Sequence, residues 1–389
     1  MGLSCTKEWL DRLVAYPTVS RDSNLALVQD VAQYLSDQGA KVELIHNEDQ
    51  RKANLLAQLG PERESGIVLS GHTDVVPVDG QPWESDPFKV KVEGNILSGR
   101  GVCDMKGFIA SALSQLPNNA KDWRRPLWFA LSYDEEVGCV GAPSMISKLE
   151  SYREIEPALV IVGEPTSLRS IVGHKGIAAA ETRVQGYETH SSQLQRGVSA
   201  VMVAARLIAK LESLGAELRA AKVDSRFEPE FSTVHVGMIQ GGTAINITAR
   251  DASFVWDVRT IPGQDARSLI EAFQRYTEEE VLPEMLAKHP DCSIHTQVLA
   301  DAPGLSSPGS QAHRFLMQAL GLEADERYVA YATEGGQFQQ AGFDTVIWGP
   351  GSIDQAHQPN EWISAQDLKA CDHHIAKIYR TLKEELSLS

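Results

Sequence analysis

Two histidines and a group of carboxylates follow the short apolar runs of this sequence, and their types suit a divalent metal centre. After GIVLS come Gly71-His72-Thr73-Asp74, after PLWFALS come Asp134, Glu135 and Glu136, and after PALVIV come Gly163 and Glu164. DTVIWG is followed by a loop holding Asp354 and His357, and Gly99-Arg100-Gly101-Val102-Cys103-Asp104 places Asp104 just ahead of a helical pattern. Histidine with carboxylate suits zinc or cobalt, whereas carboxylates alone would suit magnesium better. Each residue has an ordinary structural explanation when taken alone. A histidine after a strand is usually a hydrogen-bonded loop residue, Asp104 is a good helix N-cap, Asp134 to Glu136 is a solvated acidic turn, and Glu164 before Pro165 is unremarkable. The coincidence changes the balance, because so many crowded carboxylates repel one another without a cation.

Local spacing adds to this. In an extended segment residues two apart face the same side, so His72 can bind metal while the Asp74 carboxylate accepts its other ring N–H and fixes the tautomer. Adjacent Glu135 and Glu136 cannot easily address one atom. One can bind metal while the other stays free as a base.

The elements that must position these groups are legible as patterns. Residues from about Leu3 to Gly39 read as two amphipathic helices. The runs KVELIH, ANLLAQL, GIVLS, PLWFALS and PALVIV then read as buried strands, separated in places by helices such as MKGFIASALSQL and APSMISKL. Such alternation indicates an α/β domain with a mainly parallel sheet, whose ligands bind beyond the carboxyl ends of the strands. From Ile177 to Val298 the rhythm is strand, helix, strand, strand, helix, strand, the β-α-β-β-α-β order of a ferredoxin-like sandwich. The α/β pattern then returns, with a helix near His313 to Leu320, the strand DTVIWG and a last helix from Ala365. The expected organisation is a catalytic domain in two parts, 1–176 and 299–389, interrupted by a smaller domain at 177–298.

The 389 residues are enough for two domains, and 42% hydrophobic with 23% charged residues is a globular balance. With 52 acidic against 36 basic residues the formal charge is −16, which disfavours nucleic acid as a partner. No window is apolar enough to span a bilayer, and the N-terminus lacks a secretory signal pattern. Gly2 and Thr6 match a loose myristoylation pattern, but Leu10, Leu13 and Val14 favour a docked helix there. Five scattered cysteines, none in a Cys-x-x-Cys pair, argue for reduced thiols in the cytoplasm.

Eight segments together resemble the M20 family of metallopeptidases over nearly the whole chain: SGHTDVVPVDGQPWESDPF, GRGVCDMKGF, SYDEEVGCVGA, GEPT, GYETHSS, GGTAINI, TEGG and GPGSIDQAHQPNEW. The resemblance implies two divalent metal ions, zinc first and cobalt second. His72, Asp104 and Glu164 would hold one ion, and Asp104 would bridge to a second held also by Glu136 and His357. It makes Glu135 the general base, with Asp74 supporting His72. The inserted domain resembles the family's lid or dimerisation domain, which implies a homodimer. His190 matches a histidine that reaches the partner subunit's active site and stabilises an oxyanion, and Asn246 and Arg259 match residues that bind substrate. The segment GYETHSSQLQ departs from the commoner pattern of a small residue before the histidine and a proline after the serines. Three carboxylates against two divalent ions leave one positive charge for hydroxide, which Glu135 would help to form.

The implied reaction is hydrolysis of an amide in a small N-acyl amino acid. His174-Lys175-Gly176 is similar to the family's deacetylase branch, where the desuccinylase branch carries an arginine pair suited to a second carboxylate. That favours an acetyl group, with N-acetylornithine as the expected substrate in arginine biosynthesis. Glu334 is expected to face the ornithine side-chain ammonium or else to be a solvated residue at a helix start. A desuccinylase, another N-acyl-amino-acid deacylase, an aminopeptidase or dipeptidase of the same family, and a binding protein that has lost catalysis are the alternatives.

Overall fold

The computed structural model describes residues 3–62, 66–117, 122–152, 159–323 and 325–383. They divide into two compact units, one of Met1–Gly173, Leu305–Tyr328 and Thr333–Ser389, the other of His174–Gly304 and Val329–Ala332.

The first unit is built on a nine-stranded sheet. Its centre is formed by strands Leu127–Ser132, Ile67–His72, Leu159–Val162 and Asp344–Ile347, adjacent in that order and parallel to one another. All but Asp344 at the start of the last strand are buried, which is why these runs are continuously apolar rather than alternating. Ala53–Leu59 and then Lys41–His46 extend one side in antiparallel fashion. Of the PALVIV run, Pro157 and Ala158 lie outside the described residues.

Helices cover this sheet. Leu10, Leu13 and Val14 of the first helix, Leu3–Val14, are fully buried, as the spacing of one apolar face demands. Thr6 is buried as well and donates to Asp372 at 2.7 Å; Gly2 lies outside the described residues. Helix Lys106–Ser114 is buried along its whole length and carries the loop that ends at Asp104. A small sheet of Lys91–Glu93, Ile96–Ser98 and Trp362–Ser364 brings Glu361 beside Gly99, whose N–H donates to the Glu361 carbonyl at 2.9 Å.

The second unit holds an antiparallel sheet in the order Thr233–Gly241, Asp251–Thr260, Gly176–Gln185, Ser293–Ala302. Alternate residues Ala178, Ala180, Thr182 and Val184 are buried, with Phe254, Trp256 and Val258 of the neighbouring strand. Leu207 and Leu211 of helix Ala200–Ala221 and Phe273 of helix Ala266–Tyr276 complete that core. Both helices start on side-chain caps, Ser199 accepting from Met202 N–H and Asp265 from Arg267 N–H. Among the described residues no helix is long and apolar enough to cross a membrane.

Candidate metal centre and its relatives

The four parallel strands deliver their following residues to one edge of the sheet. His72 is the last residue of its strand and is paired in register with Ser132, two residues before Asp134. Glu164 follows Leu159–Val162, and the loop after Asp344–Ile347 returns with His357.

Two groups of possible ligands form there: His72, Asp104 and Glu164, and Asp104, Glu136 and His357, each with donor atoms within 4.8 Å of one another. Asp104 is common to both, and its two oxygens divide between them. Oδ1 lies 3.0 Å from His72 Nε2, and Oδ2 lies 3.3 Å from His357 Nε2. Glu164 Oε1 is 4.0 Å from His72 Nε2, and Glu136 Oε2 is 2.9 Å from His357 Nε2. Asp104 is not the helix cap that its position suggests. Met105 occupies that position, with no side-chain cap bond.

The chemistry of these donors fits divalent cations. His72 Nδ1 lies 2.9 Å from the Asp74 main-chain carbonyl, an acceptor, so Nδ1 carries the ring proton. The Nε2 lone pair then faces carboxylate oxygens, an arrangement that needs a cation or a second proton. Glu164 Oε1 is buried without a hydrogen-bond partner. Without metal the groups compete for protons. Burial pushes Glu135 up to about 8 and Glu136 to about 7, and Glu164 rises well above the usual carboxylate range. Hydrogen bonds to Asp104 and Glu136 hold His357 up at about 10. Burial opposes charge on His72, yet the bond to Asp104 and the surrounding carboxylates keep it well above the ordinary histidine value. Asp104, bonded to both rings, stays below the usual range despite burial.

Glu135 belongs to neither ligand group. Its Oε1 accepts a weak bond from the Cys139 thiol at 3.2 Å. Asp74 departs from expectation. Its carboxylate oxygen stands 3.7 Å from His72 Nδ1, because the carboxylate is taken by the N–H groups of Glu135 and Glu136, at 3.1 and 3.2 Å, and by the Ser20 hydroxyl at 2.7 Å. Asp74 therefore holds the glutamate pair, while its main-chain carbonyl orients His72. Glu334 is not solvated. It is buried, with Oε2 accepting from Ser132 Oγ at 2.8 Å and Oε1 accepting from Ser70 Oγ.

In the second unit, His190 is exposed and opens a short 3₁₀ turn at Ser191–Gln193. Its Nδ1 accepts from Ser192 N–H at 3.2 Å and lies 2.8 Å from Ser192 Oγ. Asn246 is its neighbour, accepting Ser191 N–H on its main-chain carbonyl at 3.0 Å. Arg259 sits on strand Asp251–Thr260 with Nε 3.3 Å from Asp257 Oδ1.

Sequence reasoning missed Glu361. This buried carboxylate accepts four donors around Asp104: the N–H groups of Gly101, Cys103 and Asp104, at 2.9, 2.8 and 3.0 Å, and Arg100 Nη1 at 2.8 Å. The sequence signals were its place four residues after His357 and its inclusion in the segment GPGSIDQAHQPNEW.

A family model, peptidase family M20/M25/M40, matches residues 68–381. The chain belongs to that family. It is 33% identical over 382 residues to an acetylornithine deacetylase of Myxococcus xanthus, covering 96% of this chain and 97% of the relative. It is 34% identical over 378 residues to an acetylornithine deacetylase of Pasteurella multocida (strain Pm70), covering 94% and 95%. Among solved structures, an M20 family metallo-carboxypeptidase from Sulfolobus solfataricus has the same fold, with a TM-score of 0.76, 17% identity and 97% and 99% of the two chains covered. A dinuclear metal binding peptidase of the M20 family from Bacillus subtilis gives a TM-score of 0.66 at 14% identity, covering 99% of each chain. This M20 member is accordingly a hydrolase, a metal-dependent amidohydrolase whose candidate ligands are those described above.

Proposed function

We propose that the enzyme is a dinuclear deacylase of small N-acyl amino acids that converts N-acetyl-L-ornithine to ornithine and acetate in arginine biosynthesis. One observation carries the dinuclear reading: the two oxygens of Asp104 face different histidines, each with a further carboxylate beside it, while Glu135 stays outside both groups. His72, Asp104 and Glu164 would hold one ion, and Asp104, Glu136 and His357 the other. The His-carboxylate donor set favours zinc, with cobalt as a working substitute. Such ions, when bound, polarise a carbonyl and bring the pKa of water to roughly 7.

The chain's own residues do the rest. Glu135 takes a proton from water and delivers it to the leaving amine, held in place by Asp74 through its main-chain N–H. His190 stabilises the oxyanion. Because Nδ1 accepts from Ser192 N–H, the ring proton sits on Nε2, where it can be donated. Asn246 and Arg259 bind substrate, and the unit that carries them acts as lid and dimerisation domain, with His190 delivered to the active site of the partner subunit. A cytoplasmic setting is supported by five free cysteines, four of them buried.

The acetyl assignment is supported by the relatives' names and by Lys175. Its ammonium is committed to the carbonyls of Pro229 and Phe231, at 2.6 and 2.8 Å, so it is not offered to a carboxylate on the acyl group. The test is a panel of acetylated and succinylated amino acids and dipeptides assayed with added zinc or cobalt. N-acetylornithine should exceed N-succinyl-diaminopimelate in kcat/KM by orders of magnitude. Preference for the succinylated compound, or for dipeptides, would overturn the substrate while leaving the metal chemistry intact.

A further inference from the structure

Three buried or half-buried polar side chains outside the ligand groups connect the main chain at Asp104 to the main chain at His357. Glu361 gathers the N–H groups of Gly101, Cys103 and Asp104 on its carboxylate and pairs with Arg100. Arg100 extends this through Nη2 to Gln81 Oε1 at 2.5 Å. Gln81 then donates from Nε2 to the His357 main-chain carbonyl at 3.0 Å. Trp83 fixes the middle of the chain, giving its indole N–H to Gln81 Oε1 at 3.0 Å with the Arg100 guanidinium 5.1 Å from its ring centre.

The two ends of this chain differ in what they need. The Asp104 loop is buried and held by three N–H bonds. His357 has a side chain half-exposed and a backbone φ of +61°, a left-handed conformation that a residue with a Cβ keeps only when its surroundings impose it. The Gln81 bond to its carbonyl is one such constraint, and the loop is tied a second time where Asn360 Oδ1 accepts Glu84 N–H at 2.8 Å.

We infer that Gln81 is a positioning residue for one metal only: anchored on Arg100, its amide holds the His357 main chain, and so sets the affinity of the Asp104–Glu136–His357 site without affecting the His72–Asp104–Glu164 site, because Asp104 is held by Glu361 through main-chain bonds that do not involve Gln81. Glu361, by contrast, positions the carboxylate common to both. The inference rests on the dinuclear reading. Partners behind a ligand typically change metal affinity by about tenfold to hundredfold. A removal of the Gln81 amide should fall in that range at one site and leave the other unchanged.

The experiment is a zinc titration of metal-free protein against a chromophoric chelator. Wild type should bind two ions per chain; fewer than two would overturn the dinuclear reading itself. Gln81→Leu is then measured in two backgrounds that isolate the sites. In His72→Ala the remaining site should lose about tenfold to hundredfold in affinity on adding Gln81→Leu. In His357→Ala the remaining site should be unchanged. Equal effects in both backgrounds, or none in His72→Ala, would overturn the role of Gln81 with the two-ion stoichiometry still standing. Glu361→Gln should weaken both sites, and circular dichroism of each variant separates loosened metal from a chain that has not folded.

Discussion

The carboxylate of Asp74 accepts the main-chain N–H groups of both Glu135 and Glu136, one on each oxygen, at 3.1 and 3.2 Å. A single buried side chain thus sets the backbone from which the free glutamate and a candidate metal ligand diverge. In Asp74→Asn one oxygen becomes an NH₂ group that meets an N–H head on. We expect kcat to fall by about tenfold to hundredfold, with weaker metal binding at the Glu136 site. The His72 site should hold, because the His72 ring rests on the Asp74 main-chain carbonyl, which the substitution leaves in place. Metal content and single-turnover rates measure both. Metal loss confined to the His72 site would make Asp74 the partner of His72 after all.

Glu135→Gln should abolish turnover while two metals stay bound. Neither ligand group includes Glu135, and loss of a proton-transfer group costs typically ~100- to 10,000-fold. Metal analysis of the purified variant decides the assignment. If Glu135→Gln loses an ion and Glu136→Gln keeps both, the two glutamates have exchanged roles.

The candidate metal centre was legible because it depends on a fold-level rule: four parallel strands end at one edge, so the residues after each apolar run must meet there. The Asp74 bond was not legible. Period-two spacing puts His72 and Asp74 on one side, but it does not show that two N–H groups 61 and 62 residues away claim the carboxylate. Glu361 was hidden for the same reason, since the N–H groups it satisfies lie 257 to 260 residues earlier. Glu334, beside two glycines, reads either as a residue facing the substrate ammonium or as a solvated acid, and only the stacking of strand ends reveals Ser70 and Ser132 against it.

His190→Ala should slow the reaction by about 100- to 1000-fold, the usual effect of losing one oxyanion donor, with metal content unchanged. Near-normal turnover would leave His190 as the cap of its 3₁₀ turn and no more. Mixing His190→Ala chains with Glu135→Gln chains tests delivery across a dimer. Recovered activity supports it, and none after proven subunit exchange refutes it.

Glu334→Gln distinguishes a brace from a specificity residue. With Ser70 and Ser132 donating to its two oxygens, Glu334 ties the ends of two adjacent central strands. We therefore expect the variant to lose the same factor in kcat/KM on acetylornithine and on acetylmethionine. A loss several-fold larger on acetylornithine would show that the carboxylate also meets the side-chain ammonium.

His174 should make the protein sensitive to mild acid. It is fully buried, and burial holds its pKa down at about 4 even though its ring bonds to the Lys175 carbonyl at 2.8 Å. The unfolded chain would protonate the same ring near 6.5. Between these values the unfolded state binds the extra proton, so stability falls as pH drops from about 6.5 to about 4, by roughly 3 kcal/mol for this group alone at 1.36 kcal/mol per pH unit. Above 6.5 both states are neutral and the contribution is flat. His174→Asn cannot titrate. It should be less stable than wild type at pH 7.5, where the ring packs and bonds, and should close much of that gap by pH 5. Urea unfolding of metal-free protein at both pH values measures the difference, and an NMR titration of the His174 ring gives its pKa directly. A gap that stays constant, or a ring that titrates near 6.5, would show that His174 is solvated in the folded protein.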